Sequence, residues 1–417
     1  MPPRALPPLA AVLAGAVTVA GFAPLGWFPL PVLTLALLIA LWRRAATPRD
    51  AALLGFAFGL GYFLTGVSWV YVSMHDFGAM PAWLAALLTV VLCAYLALFP
   101  AAATGACHAL GARSGGALLA AFPALWTLTE WLRGWLFTGF PWLALGYAQV
   151  PASPLAGLLP VFGVYGASLA TVASAALLCC AVDAARARGN ARPAATLVGL
   201  VDRPWLLGLL ALWAGGHALS LVAWTQPEGA PTSVALVQGN IAQDLKWRED
   251  RVRATLDTYR DLVAASDAQL TVLPETALPL FLHQVPPDYL EALAAHARKA
   301  GGDILLGVPE RADTRTYFNS AVVLGGAPDR VYRKSHLVPF GEFIPAKPLF
   351  GWFLDVMQIP LADFARGEES QRPLAAAGQR IAVNICYEDA FGAEIARQLP
   401  EATLLVNVSN VAWFGRS

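Results

Sequence analysis

Hydrophobic positions follow two different rhythms along this chain. Up to about residue 225 they run nearly unbroken, in blocks at about 5–24, 29–42, 51–72, 82–103, 116–136, 159–182 and 204–224. Blocks near 20 residues match the hydrocarbon core of a bilayer, about 30 Å thick at 1.5 Å per helical residue. Seven membrane helices are therefore expected. The second block, 14 residues, is short enough to be re-entrant, but charge clusters flank only one side of it, so it is counted as a span. Met1-Pro-Pro-Arg4 and the apolar run after it also have the form of a signal peptide. Six further blocks favour a retained first helix.

Beyond the Pro/Gly linker TQPEGAPTS (225–233) the rhythm shortens and alternates. Strand-like runs are SVALVQGN (233–240), QLTVLPET (269–276), DILLGVPE (303–310), FNSAVVLGG (318–326), RVYRKSHLVP (330–339), QRIAVNIC (379–386) and ATLLVNVSN (402–410). Between them lie helix patterns at 249–267, 287–301 and 391–399; in the first, Val252, Leu256, Tyr259 and Val263 form the apolar stripe. Alternating β and α units predict a layered α/β domain with chemistry at its strand ends. The expected organisation is a polytopic α-helical membrane domain over 1–225 and a catalytic α/β domain over 226–417.

Charge sharpens this division. Of 56 charged residues, 15 lie in 1–225 and 41 in 226–417, and the first part contains no lysine. A mean hydropathy of +0.55 is too high for an ordinary water-soluble protein. Arg4, Arg43, Arg44, Arg49, Arg113, Arg186, Arg188, Arg192 and Arg203 all fall at alternate connections, while the loops near 25–28, 73–81 and 137–158 hold no Lys or Arg. Positive charge stays in the cytoplasm. The N-terminus is then cytoplasmic, and seven spans place the α/β domain outside, in the periplasm of a bacterial inner membrane. Net charge is zero, so nothing points to nucleic acid. Intramembrane charges that would mark a transport path are absent apart from Glu130 and Arg133, one helical turn apart and able to pair. The aromatics of SWVYVSMHDFG (68–78) and TGFPWLALGY (138–147) are an interface belt or the lining of a lipid-entry groove.

Four of the five cysteines, Cys93, Cys107, Cys179 and Cys180, sit in or beside membrane blocks; only Cys386 lies in the α/β part. No spacing suggests a disulfide framework or a metal site, and no cofactor is expected. Glu275, Lys334 and Cys386 each end or follow an apolar run. Together they supply a base, an oxyanion stabiliser and a nucleophile, the groups needed for acyl transfer through a thioester. Each also has a plain structural reading: a cap for the next segment, a solvated strand-edge charge beside Arg330 and Arg333, and an inert buried thiol. A strand-to-helix junction after Cys386 would favour thiolate, against which Glu388 and Asp389 act unless paired. His336, two residues from Lys334, is a rival base because alternate residues of a strand share a face.

The order Glu–Lys–Cys in these contexts resembles the nitrilase (carbon–nitrogen hydrolase) superfamily. GFAPLGWFPL, GVSWVYVSMHDFG and EWLRGWLFTGFPWLALGY, with VQGNIAQDLKW, LPETALP, YRKSHLVPFGEFIP and ICYEDAFG, extend the resemblance over essentially the whole chain to bacterial apolipoprotein N-acyltransferases. That resemblance implies a nitrilase-like αββα sandwich and an acyltransferase. Glu275 would be the general base and Cys386 the nucleophile that takes an acyl chain from a phospholipid. Lys334, with a backbone N–H after Cys386, would hold the oxyanion, and Glu342 would orient Lys334. Trp247, Tyr387 and Glu388 would shape the pocket and position the acceptor, a diacylglyceryl-modified N-terminal cysteine. A single chain suffices for this, so a monomer is expected. The apolar segment 348–364 suits a lid over a membrane-level opening. Two departures stand out: the family continues past SNxxWFG with more of the domain and a final membrane helix, and Val411 replaces its usual aspartate. They keep open a non-catalytic, truncated paralogue, and a membrane-anchored amidase is the other alternative.

Overall fold

The computed structural model describes residues 6–188, 203–227, 229–326, 331–351 and 363–415. Two compact units emerge, residues 1–70 with 83–227, and residues 71–82 with 228–417.

The first unit is helical: α1 (Leu6–Thr18), α2 (Pro29–Trp42), α3 (Pro48–Gly66), α4 (Ala82–Ala109), α5 (Gly115–Arg133), α6 (Leu159–Arg188) and α7 (Pro204–Ser220). Each apolar block thus yields a helix. Helix α3 starts where local chemistry demands it, since Thr47 accepts from Asp50 N at 3.1 Å, Asp50 accepts from Thr47 N at 3.2 Å, and Pro48 opens the first turn. Helices α1 and α3 approach through glycine: a Cβ on Gly15 would fall 1.9 Å from Phe58 O, and one on Gly61 1.9 Å from Val12 O. Such small-residue contacts are the usual means of close helix packing in lipid. Trp42, Phe58, Tyr62 and Phe122 are buried, while Leu9, Leu13, Leu33, Leu87, Val91 and Leu98 point outward. Large apolar side chains on the outside suit a lipid surround.

By length and composition, two helical segments among the described residues can cross a membrane, 82–109 and 154–187. The pair 48–66 and 69–77, bent by 50°, makes a third if taken as one span. The helices over 6–21 and 29–42 are apolar but shorter, so seven full spans remain an expectation. Glu130 and Arg133 do not pair with each other. Glu130 accepts from Trp126 Nε1 at 3.1 Å and Leu145 N at 3.0 Å, and Arg133 donates to the carbonyls of Phe140, at 2.8 Å, and Trp142. Those bonds fold the 138–147 loop inward, burying Leu143, Ala144 and Leu145. Most of this loop is core rather than groove lining.

The second unit contains two sheets. The first has strands β1 (Val234–Leu236), β2 (Leu270–Val272), β3 (Asp303–Arg311), β4 (Tyr317–Gly325) and β5 (Val331–Arg333) in that spatial order, parallel through β3 and antiparallel thereafter. The second has β6 (Leu374–Ala376), β7 (Gln379–Ile385) and β8 (Leu404–Val408), with β7 and β8 parallel. Helices α8 (Val252–Ala264) and α9 (Pro287–Lys299) cover the first sheet through a core of Tyr259, Val263, Leu293, Ala297, Ile304 and Leu306. The other face, with Leu305, Ala321 and Val323, meets Ile381, Val383 and Val408 of the second sheet. Alternate residues of β3 serve opposite cores, as the two-residue period of a strand requires. Asp303 accepts from Gly326 N and Ala377 N, both at 2.7 Å, and ties the start of β3 to the β6–β7 turn.

Several strands are shorter than their sequence patterns. The first stops at Leu236, before the Gln-Gly-Asn that follows, and the fifth stops at Arg333. The 391–399 helix is one α turn, Gly392–Ile395, and a 3-10 turn, Ala396–Gln398. The strand β6 lies in an Ala-rich run that carries no β signal of its own.

Candidate active site

Each of the three expected residues sits just past the end of a strand. After β2 the chain crosses beside β3, with Leu273 N donating to Leu305 O and Ala277 N to Gly307 O, both at 2.8 Å. A Cβ on Gly307 would lie 2.2 Å from Pro274 O, so only glycine allows this approach. The turn presents Glu275 and puts Thr276 at φ +45°, where a β-branched residue is strained. Lys334 follows β5 and is fixed at its backbone by Asn319 O, which accepts from Lys334 N at 2.8 Å. Cys386 follows β7 at φ +53° and opens a 3-10 turn, Cys386–Ala390. A non-glycine residue held there is a strained elbow, the kind of outlier that collects at functional sites.

Hydrogen bonds join the first two of these ends into one buried cluster, and its charges act on the Cys386 thiol. Lys334, 1% exposed, donates to Glu342 Oε1 at 2.9 Å, lies 2.8 Å from Glu342 Oε2, and is 3.7 Å from Glu275 Oε1. Asn319 Nδ2 donates to Glu275 Oε1 at 2.7 Å and Glu342 Oε1 at 3.0 Å. Asn410 N donates to Glu275 Oε2 at 3.0 Å, and Val338 N to Glu342 Oε2 at 2.9 Å. Burial pushes the Cys386 thiol up to about 12, with Glu275 adding to the rise and Lys334 opposing it. The sequence-based expectation of a thiolate favoured by a helix start is thus reversed, because burial and two carboxylates outweigh a one-turn helix that begins only at Gly392. Burial alone would lower the Lys334 ammonium, but Glu342 and Glu275 hold it above the ordinary lysine range.

The supporting residues divide. Glu342 sits where expected, against Lys334. Glu388 faces inward: its carboxylate accepts from Ile385 N (2.7 Å), Ser335 N (2.7 Å), Ser335 Oγ (2.9 Å), His336 N (3.0 Å) and Tyr332 Oη (3.0 Å). With five donors it fixes the Cys386 elbow to the segment after β5, and little capacity remains for an acceptor. Tyr387 lies edge-on to Phe391 and His336, with ring centroids 5.1 and 5.7 Å away. The Trp247 ring lies 5.8 Å from the Lys246 ammonium. His336 is engaged elsewhere, 3.0 Å from Glu394 Oε1 and stacked on Phe391 at 3.7 Å. The strand-spacing argument for it as a base fails because β5 has already ended at Arg333. Val411 is 63% exposed, so its position is not a buried one here. Of the expected lid, residues 352–362 lie outside the described residues.

Asn319, Asn410 and Lys246 were not singled out from sequence. Their only signal is a polar residue at an inward or strand-end position of an otherwise apolar run. Among the described residues no cluster of His, Cys, Asp and Glu is arranged to hold a metal. A thiol, with a carboxylate and an ammonium close enough to act on it electrostatically, comprises the groups that thioester chemistry uses.

The chain is an acyltransferase of the carbon–nitrogen hydrolase superfamily, its α/β domain preceded in sequence by a helical, apolar unit. Residues 233–417 match the carbon-nitrogen hydrolase family model, and residues 14–177 match the apolipoprotein N-acyltransferase N-terminal domain. The chain belongs to the apolipoprotein N-acyltransferase family. Relatives of that name from Nitrosomonas europaea and Chromobacterium violaceum are 53% and 46% identical, over 98% of this chain and 80% and 77% of theirs. Among solved structures, a carbon–nitrogen hydrolase from Helicobacter pylori G27 is similar at 20% identity and a TM-score of 0.29, covering 43% of this chain and 59% of that one.

Proposed function

We propose that this chain transfers an acyl group from a phospholipid to the α-amino group of a lipoprotein's diacylglyceryl cysteine, through a thioester on Cys386. The observation that carries this is the cluster of Glu275, Lys334 and Glu342 acting on the Cys386 thiol. As Cys386 Sγ attacks the ester carbonyl, Glu275 takes its proton and Lys334 stabilises the oxyanion. Collapse expels the lysophospholipid alkoxide, which receives that proton. The acceptor amine then attacks the thioester carbonyl, loses a proton to Glu275, and Cys386 leaves and is reprotonated.

Both substrates are lipid-anchored. Drawing an acyl chain into water costs about 0.8 kcal/mol per CH₂, so both enter from the membrane plane. The arginine-bearing connections support an inner-membrane protein with its second unit on the periplasmic side. An impermeant thiol label that reached Ala264→Cys only after lysis would reverse that orientation.

Incubation with phospholipid should place a hydroxylamine-labile acyl adduct on Cys386, detected by mass spectrometry and discharged by a diacylglyceryl peptide. An adduct that persists in Cys386→Ala would end this reading. Discharge by water alone, with turnover of simple amides, would make the chain an amidase.

A further inference from the structure

We propose that Lys246 is a positioning residue for the catalytic base, pinning the strained Glu275–Thr276 turn and balancing the charge of the buried cluster. Lys246 ends a one-turn helix, Gln243–Lys246, and is 6% exposed. A lysine is almost never buried this far without a partner. Its Nζ donates to Thr276 Oγ1 at 2.5 Å and to Glu275 O at 3.3 Å. Both acceptors belong to the residues that turn the chain behind the Glu275 carboxylate. Thr276 holds φ +45°, which persists only where surroundings enforce it. The enforcing contacts are Lys246 on one side and, on the other, the bond from Ala277 N to Gly307 O at 2.8 Å. The same short helix also reaches Glu275 from a second direction. Gln243 Oε1 accepts from Asn410 Nδ2 at 2.9 Å, and Asn410 N donates to Glu275 Oε2.

Charge points the same way. Glu275 and Glu342 place two carboxylates in the cluster against the single ammonium of Lys334. Forming a thiolate and then an oxyanion beside a net negative cluster is unfavourable. A second ammonium behind Glu275 makes it two against two. Glu275, from the β2 end, is the charged group acting on Lys246; Asp244 and Arg248 on its own segment are exposed. Burial lowers the Lys246 ammonium to about 8, with Glu275 opposing the fall. This ammonium is therefore charged at neutral pH and discharges just above it, adding negative charge to the cluster.

This inference rests on Glu275 being the base, and the test separates the two. Single-turnover acylation of Cys386 by phospholipid is measured from pH 6 to 10 on the full chain in detergent, for wild type, Glu275→Gln, Lys246→Met and Lys246→Arg. The amplitude counts folded sites, and the rate constant reports the chemistry. Wild type should slow as pH rises through about 8. Lys246→Met should be slow, on the order of tenfold or more, at neutral pH, with that alkaline decline gone. Lys246→Arg, which keeps its charge, should also lose the decline near 8 while staying faster than Lys246→Met. A Lys246→Met rate and pH profile matching wild type, with Glu275→Gln inactive, overturns the role of Lys246 alone. Unimpaired acylation in Glu275→Gln overturns the reading beneath it.

Discussion

The Lys334 ammonium lies 2.8 Å from Glu342 and 3.7 Å from Glu275. The closer partner is thus not Glu275 but a carboxylate eight residues further along the chain, held by Val338 N. Glu342 keeps a fully buried ammonium charged, which would leave Glu275 to exchange a proton as the proposed base.

Lys334→Ala should therefore slow thioester formation by a factor on the order of 10² or more, as for loss of an oxyanion donor. Lys334→Arg should not restore it, because a planar fork does not replace a point donor in a tight pocket. Glu342→Gln should be intermediate, since the lysine persists but loses its strongest partner. Combining Lys334→Ala with Glu275→Gln should cost less than the product of the single losses, as for residues acting as one unit. A near-wild-type single-turnover rate for Lys334→Ala would make that lysine merely structural.

The Cys386 thiol should be unreactive at rest. With its pKa at about 12 against about 8.5 for a free thiol, the neutral form is favoured by folding, and that contribution is whole below about pH 8.5 and drains as pH climbs toward 12. Iodoacetamide at pH 8 should alkylate Cys386 at least about a hundredfold more slowly in the folded chain than in the denatured one. Because Glu275 raises the thiol and Lys334 lowers it, Glu275→Gln should speed alkylation at pH 9 while Lys334→Met slows it. Opposite changes from two variants that both abolish catalysis are hard to obtain from general damage; equal alkylation rates in all three proteins would refute the electrostatic account.

Glu388 predicts a loss of stability rather than of substrate affinity. Glu388→Leu leaves five donors without an acceptor, three of them backbone N–H groups, and each such group left dry costs about 1–3 kcal/mol. The second unit should unfold several degrees lower in a thermal scan. The folded remainder should keep its apparent KM for a diacylglyceryl peptide. An unchanged melting temperature with a raised KM would return Glu388 to the substrate pocket.

What sequence could reveal depended on how far each signal is local. Glu275, Lys334 and Cys386 are legible because a reactive group following an apolar run marks a strand end. Glu342 is legible through the family motif. Asn319 and Asn410 are not, since an Asn in FNSAVV or VSN has meaning only once β4 and β8 lie beside the other strand ends. Lys246 looks like a surface charge in QDLKW until the short helix turns it inward. Strand lengths were overestimated where apolar character outlasts pairing, as at Val237 and after Arg333. Glu130 and Arg133 were read as a pair from their spacing on one helix, but backbone groups of the 138–147 loop compete for both. The seven apolar blocks do become seven helices, because long uncharged runs override every weaker signal.

Asn410 donates its backbone N–H to Glu275 across 135 residues of chain. The proposed base is thus held in place by one of the later-made parts of the unit. Long-range closures of this kind form late and slowly during folding. While the strands assemble, Cys386 remains an ordinary thiol beside an unaligned carboxylate, without the positioned base that the proposed transfer uses. The capacity for acyl transfer, unlike the reactivity of the bare thiol toward a small alkylating agent, would then arrive only with the completed fold.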